Sequence, residues 1–262
     1  MIELPASRKP RQDETAGVAE HILTRIQEAA PSGVWSRTDF LDLGSSYAVE
    51  KALQRLQKRG KIRKPLRGLY DLPTKDPITG RWQIPPILSF VDAISRRDQL
   101  KILVDGITAA HALGLTHTRP FSTIIYARAR PRLVTIDASI GHRKASARIS
   151  YRLDFKRFSL SRPDFWAGHP SMLLVQAFHW MHDQGHDLTA ATQQIIQTLN
   201  ADGTGLAVAI DLRSNMAELP SWLRPFMLHI SDGLLHRRED TVGVGTDSSL
   251  LPPSEARGRR SI

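Results

Sequence analysis

Between Lys51 and Arg67 the chain carries eight Lys/Arg and not one Asp/Glu. Such a run does one kind of chemistry well. Each cation can neutralise a phosphate and release condensed counterions, so affinity for a nucleic acid falls steeply with salt. Lys51, Arg55, Lys58, Lys61, Arg63, Lys64 and Arg67 are the candidate phosphate ligands. Just ahead of them, Ser46, Tyr47, Lys51 and Gln54 have types suited to base edges, Lys for guanine and Gln for adenine. Arg67 is placed to enter a minor groove or grip the backbone. The plainer reading is a solvated basic helix beside an unrelated hairpin.

These residues need elements to hold them. Val18, Ala19, Ile22, Leu23 and Ile26 form an apolar stripe at helical spacing, which predicts a first helix over 15–29 that Pro31-Ser32-Gly33 ends. Ser36 with Asp39 makes a capping-box-like pair, and Trp35 with Phe40 is spaced for a hydrophobic staple. Gly44 then closes a short second helix, 37–43. A third helix is expected from Ser45 or Ser46 to Gly60, burying Val49, Ala52, Leu53 and Leu56. Tyr47, Lys51, Gln54 and Lys58 fall on its opposite face, with Arg55 at the edge. Lys61–Lys64 and Leu69–Leu72 alternate as hairpin strands, with Pro65–Gly68 as the turn. Helix, turn, basic helix, basic hairpin is the order of a winged helix-turn-helix.

The 262-residue length allows one large or two ordinary domains. The expected plan is α+β. A loose terminus (1–14) precedes a winged-helix domain (15–74), a linker (75–86), a mixed domain with an antiparallel sheet and helices (87–232) and a disordered tail (233–262). In the second domain, strands are expected over 100–104, 123–126, 133–136 and 147–153, with turns at Arg130-Pro131 and Gly141. Helices are expected over 87–94, 108–113, 171–182 (with Pro170 at its first position), 189–199 and 206–226. The 171–182 helix is apolar nearly all round, which reads as a central buried helix.

Net charge is +10, an argument about partners and not about fold. The longest tidy apolar stretch, Leu206–Ile210, is far short of the roughly 18–20 residues of a membrane span. The N-terminus has no apolar h-region, and no membrane partner is expected. With no cysteine, disulfides, thiolate zinc sites and cysteine nucleophiles drop out, and a cytoplasmic location fits.

A second basic surface, with Arg128, Arg130, Arg132, Arg143, Lys144 and Arg148, lies on predicted strands and turns. It reads equally as extra DNA surface, a docking face for an acidic partner, or the solvent face of a sheet. His179, His182 and His186 nearly share a helix face, but no HExxH exists and His186 follows Gly185, so no metal is expected. GxxxxGK[ST], GxGxxG and GxSxG are absent, and no catalytic residue and no cofactor is assigned. Gly44-Ser45-Ser46 is superficially like the Gly-Ser of nucleotidyltransferases, but no Asp-x-Asp follows it, so a helix boundary is the better reading.

Phe40-Leu41-Asp42-Leu43-Gly44-Ser45, then Val49 to Leu56, then Arg67-Gly68-Leu69-Tyr70-Asp71 resemble the N-terminal domain of AbiEi-type antitoxins. These are bacterial transcriptional regulators of type IV toxin–antitoxin pairs. The likeness continues through Ile107–Leu115, Ala167–Pro170, Asp211–Arg213 and Leu219–Trp222. The resemblance implies a cytoplasmic autorepressor whose winged helix binds repeats in its own promoter. It also implies an antitoxin counteracting a nucleotidyltransferase-like toxin without a stable complex. Carried over by position, DNA contacts fall on Tyr47, Lys51, Gln54, Arg55, Lys58, Arg63, Lys64 and Arg67. Two other readings stay open: a winged-helix protein-interaction module, and an enzyme acting on nucleic acid.

Overall fold

The computed structural model describes residues 12–137, 150–159, 164–201 and 203–242. Most of the expected loose N-terminus, the Gly141 turn and the tail beyond Val242 lie outside the described residues, as do Arg143, Lys144 and Arg148. The described chain is mixed α+β.

α1 (Gln12–Glu28) leads to β1 (Val34–Ser36), a 3-10 turn (Arg37–Phe40), α2 (Ser46–Lys58), β2 (Arg63–Leu66) and β3 (Leu69–Asp71). The three strands form an antiparallel sheet in the order β1-β3-β2. The short helix expected over 37–43 is only the 3-10 turn. Its start matches the expected residues: the Asp39 carboxylate accepts the Ser36 backbone N–H at 2.7 Å, and the Trp35 and Phe40 rings lie 5.4 Å apart. There is no room for a second turn, because Ser45 already caps α2, accepting the Ala48 N–H at 3.2 Å.

The hairpin also differs in detail. Arg63 pairs with Asp71 and Leu66 with Leu69, so β2 holds one residue more than β3 over the same span. This bulge contains Pro65, which has no N–H to give a ladder. The turn is therefore Arg67-Gly68, with Gly68 in the left-handed region at φ 76°.

Alternation along β1 and β3 gives this sheet two apolar faces. Trp35, Tyr70 and Leu72 face a cluster with Val18, Ile22, Ile26, Phe40, Val49, Leu53 and Leu56 from α1, the 3-10 turn and α2. Val34 and Leu69 join a different cluster, built around Phe90, Val91 and Ile94 of α3 (Ile87–Asp98). Between them, the expected linker is a small hairpin of β4 (Thr74–Lys75) and β5 (Trp82–Gln83). Its turn is organised by the Asp76 carboxylate, which accepts the Ile78 and Thr79 N–H groups at 2.9 and 2.7 Å.

After α3 come β6 (Ile102–Val104), α4 (Gly106–Ala112), β7 (Thr123–Ala127), β8 (Arg132–Asp137), β9 (Ser150–Lys156) and α5 (Met172–Asp183). The second sheet runs β6-β7-β9-β8. An antiparallel sheet was expected; β6/β7 and β8/β9 are antiparallel, but β7/β9 is parallel. The strand with the fully buried Leu153 and Phe155 takes an inner position, between β7 and β8. The four residues Arg128–Pro131 step over it, a gap of about 10 Å that a four-residue segment can reach. α5 is buried along Leu174, Val175, Ala177, Phe178 and Met181. It starts after Ser171, which leaves Pro170 before the cap and not at the first helical position. α4 crosses α5 at Gly106, where a Cβ would lie 2.7 Å from the Gln176 carbonyl oxygen.

The chain divides into two compact units, Met1–His186 and Asp187–Ile262. A winged-helix unit ending near residue 74 would leave the Val34/Leu69 face uncovered, and α3 covers it. The second unit is helical: α6 (Leu188–Ala201), α7 (Gly205–Ser214), a 3-10 turn (Met216–Glu218) and α8 (Arg224–Val242). α8 continues past Gly233, where a disordered tail was expected. Gly233 has a packing reason, since a Cβ there would lie 2.7 Å from Ile196 Cδ1.

On the α3 side of the first sheet, Asp71 is fully buried and Arg63 holds it with two parallel bonds, Nε to Oδ1 at 2.8 Å and Nη2 to Oδ2. Removing one partner of such a pair strands a buried charge, at about 3–5 kcal/mol. Arg63→Met is expected to destabilise the full chain by about that amount in urea unfolding, and adding Asp71→Leu is expected to restore most of it. A double variant no more stable than the single would show that the pair is not what Arg63 contributes.

Candidate nucleic-acid interface

α2 is oriented by what it buries. Ala48, Val49, Ala52, Leu53 and Leu56 face inward, so the polar side is turned out. Ser46, Tyr47, Arg55 and Lys58 are exposed, and Lys51 and Gln54 half-buried. Tyr47 is 57% exposed, and Lys51 Nζ lies 5.4 Å from its ring centroid. That contact sets a cation beside an aromatic at the N-terminal turn, where the helix dipole is positive.

The hairpin continues the same surface. Lys64 and Arg67 are exposed, and Lys64 Nζ sits 5.8 Å from the Tyr70 ring centroid. The turn is pinned from behind: Arg97 Nη1 donates to the Arg67 carbonyl oxygen at 2.8 Å. Arg96 fastens the other end of the sheet, donating to the Val34 carbonyl at 3.0 Å and to Asp39 at 3.1 Å. On the α1 side, Arg25 grips Asp42 with bonds of 2.9 and 2.6 Å, and that guanidinium holds the Asp42 carboxyl below its ordinary range. The basic face thus sits on a frame tied at three places.

Two expected site residues stand differently. Arg63 is committed to Asp71, whose carboxyl burial pushes up while the guanidinium pulls it down. It braces the hairpin from inside and adds little to an outer phosphate surface. Gln54 Nε2 donates to Glu50 at 3.3 Å, so its amide already has one partner. Glu50 is the one acidic residue of α2 and also meets Arg37 at 3.7 Å. Arg59, at the C-cap of α2, is exposed and belongs to the face. Its place within the basic run was the available signal, but helical periodicity gives no direction past the last turn.

The second basic surface is less open. Arg128 is bound by Asp164, with Nε at 2.8 Å from the carboxylate. Arg132 stacks over Phe155 at 4.3 Å and reaches Asp98 at 3.5 Å. Arg130 is exposed and lines a hollow of about 880 Å³ with Arg128, Arg157 and Asp164. Among the described residues, no group of three His, Asp or Glu converges to hold a metal ion. No helix there is long and apolar enough to cross a membrane.

Glu50 is the local opponent of the α2 cations, and this predicts an order on a heparin column. Glu50→Gln should elute at higher salt than the parent chain, and Arg55→Gln at lower salt. Unchanged elution of both would place the polyanion-binding surface elsewhere.

No curated protein matches the chain. Among solved structures, the crystal structure of the RV2827C protein from Mycobacterium tuberculosis is 14% identical, over 94% of this chain and 86% of that one, with a TM-score of 0.31. A family described as "Family of unknown function (DUF6088)" matches residues 21–156. That span takes in the basic helix, its hairpin and all of the second sheet, more than half of the sequence, and the chain belongs to the DUF6088 family.

Proposed function

We propose that this protein is a duplex-DNA-binding regulator whose residues 12–75 work as a winged helix-turn-helix, with α2 as the recognition helix and the β2–β3 hairpin as the wing. The observation that carries this reading is the join of charge and rigidity. Lys51, Arg55, Lys58, Arg59, Lys64 and Arg67 lie on one short helix and the hairpin that follows it. The core beneath and the α3 arginines behind fix both. A row of cations on a rigid support can neutralise successive phosphates of a duplex. Ser46, Tyr47 and Gln54 at the first turns of α2 are the base-reading positions.

The resemblance to AbiEi-type antitoxins extends this to a cytoplasmic autorepressor acting on its own promoter and counteracting a nucleotidyltransferase-like toxin. That extension rests on the resemblance. Its check is co-expression with a toxin-like gene found next to this one. Growth arrest that this chain fails to relieve would reject the antitoxin role and leave the regulator.

DNA binding is read by gel shift with the DNA just upstream of the start codon, against scrambled competitor, at two salt concentrations. Tight, competitor-resistant and salt-sensitive binding is expected. Lys58→Gln with Lys64→Gln should weaken all sequences alike and reduce the salt slope by about 2, one for each lost phosphate contact. Lys51→Glu with Arg55→Glu should abolish binding without changing the circular dichroism spectrum. Equal affinity for both DNAs would sink the regulator reading and leave a generic basic surface.

A further inference from the structure

A second cationic site has a different shape. Between the start of α3, α4, the loop before β7 and the start of β9 lies a cleft of about 880 Å³. Among the described residues no Asp or Glu lines it, while Arg119 and Arg152 both do. Both guanidinium groups are exposed, and each stacks on an aromatic ring. Arg152 lies 4.7 Å from the Phe121 centroid and Arg119 5.8 Å from the Tyr151 centroid. Among the described residues neither forms an ion pair, in contrast to Arg128, just after β7, and Arg132, at the start of β8.

The cleft also stays cationic. Burial pushes the Tyr151 phenol up against the pull of the Arg119 guanidinium, which hydrogen-bonds it, and its hydroxyl donates to the Pro85 carbonyl oxygen at 3.2 Å. The nearby Asp105 carboxylate does not line the cleft. It accepts from the Thr108 N–H and hydroxyl, each at 2.9 Å, and from the Ile124 N–H at 2.6 Å. Phe121 is 83% exposed at the cleft mouth. A large ring held in water beside two unneutralised guanidinium groups is a stacking platform next to an anion site. The volume falls within the range of about 300–1,000 Å³ found for small-molecule sites.

We infer that this cleft binds a free mononucleotide-class ligand, with Arg119 and Arg152 holding the phosphate and Phe121 stacking the base. The inference is independent of the DNA reading, since it uses no residue of α2 or the hairpin.

The test is calorimetric titration of the full chain with AMP, GMP, CMP and UMP, with inorganic phosphate and adenosine as separate arms. Saturable binding of at least one nucleotide is expected. Arg119→Gln, Arg152→Gln and Phe121→Ala should each weaken it by about tenfold or more, the loss of one charge-assisted or stacking contact. The three side chains are exposed, and circular dichroism melting checks that the variants fold. Phosphate binding as tightly as the nucleotides would overturn the role of the ring. Adenosine binding as tightly would overturn the role of the arginines. No binding by any nucleotide, or binding unchanged in both arginine variants, would overturn the site.

Discussion

The first sheet of this protein must be buried on both faces, and the rest of unit one follows from that. β1 and β3 are only three residues each. Yet they carry Val34 and Leu69 to one side and Trp35 and Tyr70 to the other. A three-stranded sheet this small stabilises little by its ladder alone. It persists because α1 and α2 pack on one face and α3 on the other. Burial on the α3 side also explains the buried carboxylate. Asp71 lies on that face, away from water, and holds its charge there only through the forked Arg63 guanidinium.

The same constraint sets the direction of the basic face. α2 cannot rotate without exposing Val49, Leu53 and Leu56. Its cations are outward because its aliphatic stripe is inward, and no partner is needed to hold them so. The hairpin is tied to the same frame through Arg97 and the Arg67 carbonyl. Rigid placement matters for recognition, since a side chain fixed by its scaffold loses less conformational entropy on binding. It also separates two roles that charge alone merges. Arg63 and Lys64 are neighbours in sequence, but one points into the sheet as a brace and the other toward solvent.

Much of this was legible in the sequence where the pattern is local. The aliphatic stripes of α1 and α2, the Ser36–Asp39 and Trp35–Phe40 pairs, the basic hairpin, and α3, α4 and α5 all follow from spacing between near neighbours. The misses are non-local or differ by a single residue. Pro65 sits in a bulge, which alternation cannot see. Ser45 interrupts the second helix because its own cap begins at once. The parallel β7/β9 pair depends on β9 inserting beside a strand 27 residues earlier, measured from Thr123 to Ser150. No hairpin signal records that. The hairpin within the expected linker is not visible in the sequence, because Asp76, Pro77 and Gly80 mark a turn equally in a hairpin and in a free connection. Of the site, the face was legible but Arg63's inward role was not, because its partner Asp71 is defined only by the pairing of β2 with β3.

The overall charge of +10 therefore resolves into surfaces of different kinds. On α2 and the hairpin the cations stand over a packed core, with Glu50 the one acidic residue of the helix. Around the cleft beside β9, Arg119 and Arg152 lie near the exposed Phe121 ring, and among the described residues neither forms an ion pair. On the opposite edge, Arg128 and Arg132 are paired with Asp164 and Asp98, and their charge is largely consumed in holding the loop and sheet together. All three regions carry arginine. What distinguishes them is whether a carboxylate faces each guanidinium. That is a property of packing, which net charge alone does not record.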